Sequence, residues 1–112
     1  MDRHLTLEHI SDELLAEYGL RRGGATRPSY RSSDPNAVLI SLAEIGGPQA
    51  RNLNEQAIRD LLRGIRDDAP IPPVVVFREP GAATATLLDG LHRWRLSQAL
   101  GYIAIPTTQP SR

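Results

Sequence analysis

The chain has 112 residues, a length that fits one small domain and is too short for two ordinary cores joined by a linker. Its 13 basic residues balance its 13 acidic residues, so no net field draws the chain to nucleic acid, a membrane surface or an acidic substrate. The lack of cysteine excludes disulfides, thiolate metal sites and a cysteine nucleophile, and the lack of a long apolar run predicts a cytoplasmic protein without a membrane span.

The first predicted element is an amphipathic helix over residues 6 to 18. Apolar side chains recur there at helical spacing, at Leu7, Ile10, Leu14, Leu15 and Tyr18. Gly19 follows as a natural left-handed stop, and turn-forming residues without an apolar period fill residues 20 to 36. We therefore assign residues 1 to 36 to an N-terminal helix and flexible linker, and residues 37 to 108 to the folded domain. Because an apolar stripe must be covered, the helix docks on its own domain or forms a homodimer with a second copy.

The folded domain is predicted to begin with a strand at residues 38 to 42, where residues that suit a strand predominate. An apolar stripe then indicates an amphipathic helix over residues 54 to 67, with Asn52 or Asn54 as its cap. The continuous apolar run at residues 74 to 77 follows several prolines and is typical of a strand covered on both faces.

The second half of the domain continues with a short turn and an extended segment at residues 84 to 88, which predicts a hairpin with the preceding strand. Residues 92 to 100 suit another helix, which Gly101 ends, and residues 102 to 106 form the last strand. This order predicts an α/β (α+β) domain, a small mixed sheet with flanking helices.

The turn from Asp89 to Arg93 lies between a predicted strand and a predicted helix. A helix that begins just after Gly90 presents unpaired N–H groups and the positive end of its dipole, which favours an anion. Arg93 can add a bidentate phosphate contact, and His92 can donate to phosphate or act as acid or base. Asp89 can orient its basic neighbours or hold a Mg²⁺ that arrives with a nucleotide. Taken alone, these residues fit a common Asp-Gly turn with Asp89 as helix cap even better.

A longer pattern surrounds this turn. It joins a proline-led strand, a strand that ends in glycine, a His-Arg pair, a helix that ends in Leu-Gly and a closing Ile-Pro strand. The segments are residues 72 to 77, 87 to 94, 99 to 101 and 105 to 106, with residues 44 to 51 upstream. Over about residues 38 to 107, the chain resembles the ParB/sulfiredoxin superfamily.

The resemblance implies a ParB N-terminal-like domain with a nucleotide-phosphate pocket, which different members use for CTP or ATP. Transferred by position, the phosphate-binding residues are Gly90, Leu91, His92 and Arg93, with Arg51 as a second basic contact. Sulfiredoxins carry their nucleophilic cysteine where this chain has Leu91, and a leucine has no lone pair with which to attack. Sulfiredoxin activity is therefore excluded.

The sequence also departs from the motifs of two other activities in the superfamily. ParB partition proteins have an arginine where this chain has His92, and they continue into DNA-reading and dimerisation domains, so we expect no complete partition protein here. Serine kinases resemble the chain at residues 88 to 93, but they carry acidic residues where it has Gln49 and Ala50. A catalytic carboxylate would have to come from Glu44 or Asp89.

Three functions stay open. The first is a nucleotide-binding module for CTP or ATP, with Mg²⁺ accompanying the nucleotide, that serves as a DNA-associated or regulatory switch. The second is a small enzyme, a ParB-like nuclease or a serine-kinase-like phosphotransferase, with His92, Asp89 and Glu44 as catalytic residues. The third is a protein-interaction or antitoxin-like module without ligand. Neutral net charge leaves only weak DNA association, and the spacing of His4 and His9 predicts no metal site.

Overall fold

The computed structural model describes residues 6 to 48 and 52 to 110. Their β-strands are β1 (Thr6–Leu7), β2 (Val38–Ser41), β3 (Ile45–Gly46), β4 (Leu53–Asn54), β5 (Val74–Phe77), β6 (Ala85–Asp89) and β7 (Ala104–Thr108). Their α-helices are α1 (Asp12–Ala16), α2 (Glu55–Arg66) and α3 (Leu91–Leu100), and a 3₁₀ turn spans Leu42–Glu44. None of the helices in these residues has the length and apolar character to cross a membrane.

Five strands form one mixed sheet in the order β2-β7-β5-β6-β3. The central strand β5 pairs in parallel with β7 and antiparallel with β6, so the predicted hairpin is confirmed. The outer strands also pair in both orientations: β2 is antiparallel to β7, and β3 is parallel to β6. The predicted α/β class, with a small mixed sheet and flanking helices, is confirmed.

The prediction that β5 is covered on both faces is wrong. Val74 and Val76 have no exposed surface, whereas Phe77 is 43% exposed. Val76 lies opposite the buried Leu87, and Phe77 lies opposite the exposed Thr86. The chain therefore covers the face that carries the two valines and leaves the opposite face open at Phe77. A continuous apolar run does not distinguish a strand covered on both faces from one covered on a single face, because apolar residues point to both faces in either case.

Buried side chains form two clusters that meet at α3. The helical cluster joins α1, α2 and α3 through Ile10, Leu14, Leu15, Leu53, Ile58, Leu62, Leu96, Ala99 and Leu100. The sheet cluster consists of Tyr30, Ile45, Ile71, Val74, Val76, Ala85, Leu87, Trp94 and Ile105. Because α3 contributes to both clusters, its position is fixed from two sides.

The N-terminal segment is not the continuous helix that its spacing predicted over residues 6 to 18. Strand β1 pairs antiparallel with β4, and α1 begins only after Ser11, whose hydroxyl accepts a hydrogen bond from the N–H of Leu14. A serine cap starts a helix at its own position, so the residues before it are free to pair as a strand. The apolar stripe is covered by this chain's own helical cluster, and the homodimer prediction loses that basis.

Residues 20 to 36 are irregular, as their composition predicts, but they pack on the domain. The N–H of Ala25 donates to the carbonyl oxygen of Leu100 at 2.9 Å. Tyr30 is buried, and its hydroxyl donates to the carbonyl oxygen of Pro72 at 2.7 Å. These contacts fasten the segment over the C-terminal end of α3 and beside the sheet. The predicted boundary between extension and domain stays a prediction.

Candidate functional site

The turn between β6 and α3 is built around Gly90. This residue is the N-cap of α3, and its φ of 107° lies in the region that favours glycine. A Cβ atom at this position would lie 2.6 Å from Cγ1 of the buried Val74, closer than real Cβ contacts. Glycine is therefore required here, and because it has no side chain, no side-chain hydrogen bond caps the helix. The first N–H groups of α3 lack the acceptor that a capping residue would supply.

The electrostatics of this turn are mixed. No acidic residue lies in the first turn of α3, which carries His92 and Arg93, but the exposed carboxylate of Asp89 lies just before it. The positive end of the helix dipole adds to the charge of Arg93. The binding of an anion at this turn stays a prediction.

His92 is held by the start of the neighbouring helix. Its Nε2 accepts a hydrogen bond from the backbone N–H of Asn54 at 2.9 Å. Because Nε2 accepts this hydrogen bond, it carries no proton of its own, and the proton of the neutral ring is on Nδ1. Burial, and secondarily the Arg93 guanidinium, lower the pKa of His92, which keeps the ring neutral. The geometry suits a donor at Nδ1, whereas the basic lone pair that the acid–base hypothesis needs is already engaged.

Arg93 is committed to the backbone before β5. Its Nη1 donates to the carbonyl oxygens of Pro72 at 3.1 Å and Pro73 at 2.9 Å. Its Nη2 lies 3.9 Å from Oδ2 of Asp89, and the arginine side chain is only 20% exposed. Because Nη1 is engaged, the bidentate phosphate contact predicted from the sequence would have to come from Nε and Nη2. The charge of Arg93, however, remains beside the turn.

The predicted carboxylates lie at opposite ends of β6. Asp89 is the last residue of that strand, and its side chain is 75% exposed beside the turn. Glu44 instead forms an ion pair with Arg78 at 2.9 Å, next to Ile45, which pairs with the first residue of β6. Four residues along a strand span about 13 Å. The structure therefore does not bring Glu44 to the turn, and the predicted contact from Arg51 lies outside the described residues.

A cleft of about 180 Å³ opens at the turn. It is lined by Pro48, Leu87, Leu88, Asp89, Gly90 and Leu91. Asp89 is the only ionisable residue of this lining, and the described residues contain no group of three or more metal-ligating side chains. Most of the side chains that line the cleft are therefore apolar, and they lie beside one carboxylate and one uncapped helix.

The sequence analysis named Asp89, Gly90 and Leu91 as site residues, but it missed the contribution of Pro48 to the cleft and of the Asn54 backbone to the position of His92. Because β3 runs parallel to β6, the chain that leaves β3 follows β6 towards the turn and reaches the cleft at Pro48. The parallel pairing of two short strands leaves no pattern in neighbouring residues from which it could be predicted. The contact between the backbone of Asn54 and His92 leaves none either, because the two residues lie 38 positions apart in the sequence.

Comparisons with known proteins identify relatives of part of the chain. No family model matches it. It is 33% identical over 78 residues to an ATP-dependent L-serine kinase from Desulfurococcus mucosus, an alignment that includes 69% of this chain and 29% of the kinase. The chain thus spans less than a third of the length of that protein.

Two solved structures share its architecture. Sulfiredoxin from Arabidopsis thaliana aligns with a TM-score of 0.57 and 24% identity, over 70% of this chain and 88% of the sulfiredoxin. A conserved hypothetical protein from Pyrococcus furiosus aligns with a TM-score of 0.56 and 21% identity, over 72% of this chain and 34% of that protein. At these identities, the likeness establishes the fold alone.

Proposed function

We propose, from the ParB/sulfiredoxin fold that this chain has, that it binds the phosphates of a nucleoside triphosphate at the start of α3. One observation carries the proposal: α3 begins at a glycine without a side-chain cap, beside an open cleft. A helix N-terminus in this state offers N–H donors and a positive dipole end to an oxyanion. The name of the kinase relative supports ATP as the nucleotide.

Three groups would hold the phosphates. The backbone N–H groups of Leu91 and His92 lie in the uncapped first turn, and the Nδ1 proton of His92 adds a side-chain donor. Arg93 contributes its charge while it holds the carbonyl oxygens of Pro72 and Pro73. The phosphate contacts therefore come mainly from the backbone, which accommodates nucleotides with different bases.

A nucleoside triphosphate ordinarily arrives with Mg²⁺, and the residues at the turn fit this ion. Mg²⁺ in such sites is held by one or two carboxylates together with substrate phosphates, and it neutralises their charge. Asp89 is exposed at the rim of the cleft, and its contact with Arg93, at 3.9 Å, leaves oxygen lone pairs available. Asp89 would therefore be the protein ligand.

Calorimetric titration of the full chain with ATP, CTP and GTP, each with Mg²⁺, tests the proposal. We expect heat with ATP and a loss of at least tenfold in affinity for Leu88→Asp, which places a carboxylate at the cleft. Leu39→Asp is the matched control, because Leu39 is 53% exposed and Leu88 is 55% exposed. Absence of heat at millimolar nucleotide would refute the proposal. An equal loss in both variants would refute the assigned location.

A second candidate is phosphoryl transfer to a small hydroxyl substrate, which the ATP-dependent L-serine kinase favours as a relative. In this reaction the substrate oxygen attacks the γ-phosphorus of ATP, the bond to the bridging oxygen breaks, and ADP leaves. Asp89 would accept the hydroxyl proton, since Nε2 of His92 is already engaged by Asn54.

Phosphorus NMR of ATP, Mg²⁺ and L-serine with the chain tests the second candidate, with phosphoserine and ADP as the expected products. Asp89→Asn should remove turnover, and because Asp89 is also the proposed Mg²⁺ ligand, it should weaken the binding of ATP with Mg²⁺ more than the binding of ATP alone. Parallel incubations with single- and double-stranded DNA test the nuclease and weak DNA-association hypotheses. Binding without any product would leave a nucleotide-binding module, and neither binding nor product would leave the interaction module.

A further inference from the structure

We propose a second ligand site, which takes a small organic acid, at the C-terminal end of α3. Two adjoining clefts of about 220 and 210 Å³ lie there and share Leu20, Gly24, Ala25, Ile65 and Tyr102. We call the pair the Tyr102 cleft. Since α3 has ten residues, its ends lie about 15 Å apart. The Tyr102 cleft is thus separate from the phosphate turn, and the proposal does not depend on nucleotide binding.

The Tyr102 cleft has an apolar floor, formed by Leu20, Ile65, Leu100 and the ring of Tyr102. One wall consists of the small residues Gly24 and Ala25, so the floor is accessible. This wall is fixed in place, because the N–H of Ala25 donates to the carbonyl oxygen of Leu100 at 2.9 Å. The cleft is therefore a preformed feature of the packing between the irregular segment and the helices.

Charge around this floor is unbalanced. Arg21, Arg27 and Arg31 line the cleft, and Asp68 is its only acidic residue. The carboxylate of Asp68 forms an ion pair with Arg27. Within residues 6 to 48 and 52 to 110, no carboxylate pairs with Arg21, and Arg31 donates only to the carbonyl oxygen of Asp68, at 3.3 Å. Two cations without carboxylate partners therefore stand around an apolar surface.

The exposed side chain of Arg21 lies over the wall of the cleft. Its Cγ and Nε are close to Gly24, where a Cβ atom would lie 2.6 and 3.1 Å from them. Across the cleft, the hydroxyl of Tyr102 has no hydrogen-bond partner in the described part of the chain. Burial raises the pKa of Tyr102, which keeps this hydroxyl protonated and able to donate.

The backbone at this end of α3 does not repel an anion as a bare helix C-terminus would. The carbonyl oxygens of Ala99 and Leu100 accept hydrogen bonds from the N–H groups of Gly23 and Ala25, at 3.1 and 2.9 Å. The partial negative charge is thus offset by donors from the irregular segment. Positive side chains dominate the remaining field.

These features define the ligand class. Each of the two adjoining clefts holds only about 210 to 220 Å³, so a compact ligand fits in either one or across their shared floor. A carboxylate matches the guanidinium fork of Arg21 or Arg31, and an apolar or planar body matches Ile65 and Tyr102. The ligand is therefore a small carboxylic acid with an apolar body.

Amide NMR spectra of the full chain, titrated with benzoate, benzamide and benzylamine, test this inference. The three probes share a ring and differ in charge. We expect benzoate to shift the amides of Gly24, Ala25 and Tyr102 in a saturable way, with much weaker shifts from the other two probes. Similar shifts from all three probes would contradict the assigned charge preference. Saturable shifts confined to the first turn of α3, or no shifts at tens of millimolar benzoate, would overturn the site.

Variants separate the two arginines from general electrostatics. Arg21→Gln and Arg31→Gln should each weaken benzoate binding about threefold, and the double variant about tenfold, as expected for exposed charge pairs. Arg63→Gln, an exposed residue of α2 outside the cleft, should leave binding unchanged. Unchanged binding in the double variant, with a native spectrum, would overturn the proposal. ATP titration of the same variants is a separate readout, because the proposed phosphate site contains neither arginine.

Discussion

The two longer helices of this domain begin in opposite ways. At the start of α2, Oδ1 of Asn54 accepts a hydrogen bond from the N–H of Ala57 at 2.8 Å, and Glu55 adds a negative charge. At the start of α3, Gly90 supplies no capping acceptor, and the first turn carries basic residues. One helix satisfies its own N-terminus and the other leaves donors and positive charge for an external acceptor.

The capped helix also supports the uncapped one. The N–H of Asn54 donates to Nε2 of His92, so the start of α2 fixes the ring that stands at the start of α3. Asn54 itself belongs to β4, which pairs with β1 at the beginning of the described chain. The contrast between the two helices is therefore built into one connected structure, and four substitutions test it.

The largest effect is expected from Gly90→Ala. The new Cβ would lie 2.6 Å from Val74 Cγ1 at a φ of 107°, so crowding and backbone strain act together. We expect the free energy of unfolding to fall by about 2 to 5 kcal/mol in urea denaturation. Gly81→Ala is the matched control: its φ is 81°, but nothing lies within 4 Å of the new Cβ, and we expect about 1 to 2 kcal/mol. Equal losses would show that Val74 does not impose the glycine.

Arg93→Gln should have the next largest effect. It removes the charged donor that bonds the carbonyl oxygens of Pro72 and Pro73. Bonds of this type contribute roughly 1.5 to 3 kcal/mol, and we expect a loss in that range by urea denaturation. Arg66→Gln, which breaks an exposed pair with the adjacent Asp67, should cost under about 1 kcal/mol. A stable Arg93→Gln variant that no longer binds ATP would show that Arg93 serves the ligand more than the fold.

These expectations separate what local sequence predicts from what it does not. The helix predicted over residues 54 to 67 is observed at Glu55–Arg66, and the apolar run at residues 74 to 77 is a strand, because periodicity and capping act over a few residues. The requirement for glycine at position 90 was not predicted, because it depends on the packing of Val74 against the turn. The helix predicted over residues 6 to 18 is wrong, because the partner of β1 lies more than forty residues away.

The candidate site was less predictable than the fold. The uncapped turn is visible in the sequence, but the partners of its two basic side chains are not. His92 bonds a backbone group 38 residues away, and Arg93 bonds groups 20 and 21 residues away. Backbone groups are common to all residue types, so such contacts leave no pattern in side-chain identity. Sequence therefore predicts the charge of the site better than the role of each side chain.

A smaller effect is expected from Asn54→Ala, which removes the side-chain cap of α2. The N–H of Ala57 then loses its acceptor, while the backbone N–H that bonds His92 is retained. We expect a loss of about 1 kcal/mol in the free energy of unfolding. Asn52→Ala controls for the other asparagine that the sequence offered as a cap, and it should be neutral. A larger loss for Asn52→Ala would show that the assigned cap is wrong.

The smallest effect is the pH dependence that His92 imposes. The pKa of His92 is lowered in the folded chain by burial and by Arg93, whereas an unfolded histidine titrates at about 6.5. Above that value both states are neutral and the contribution of His92 is fully present. As the pH falls below it, the unfolded state takes up the proton first, so stability decreases until the folded-state pKa is passed.

Urea denaturation between pH 8 and 5 should show this decrease in the native chain and in the exposed control His9→Gln. His92→Gln should remove part of the slope, since no imidazole then remains beside Asn54. An unchanged slope would mean that burial and Arg93 do not lower the pKa of this ring in the folded chain.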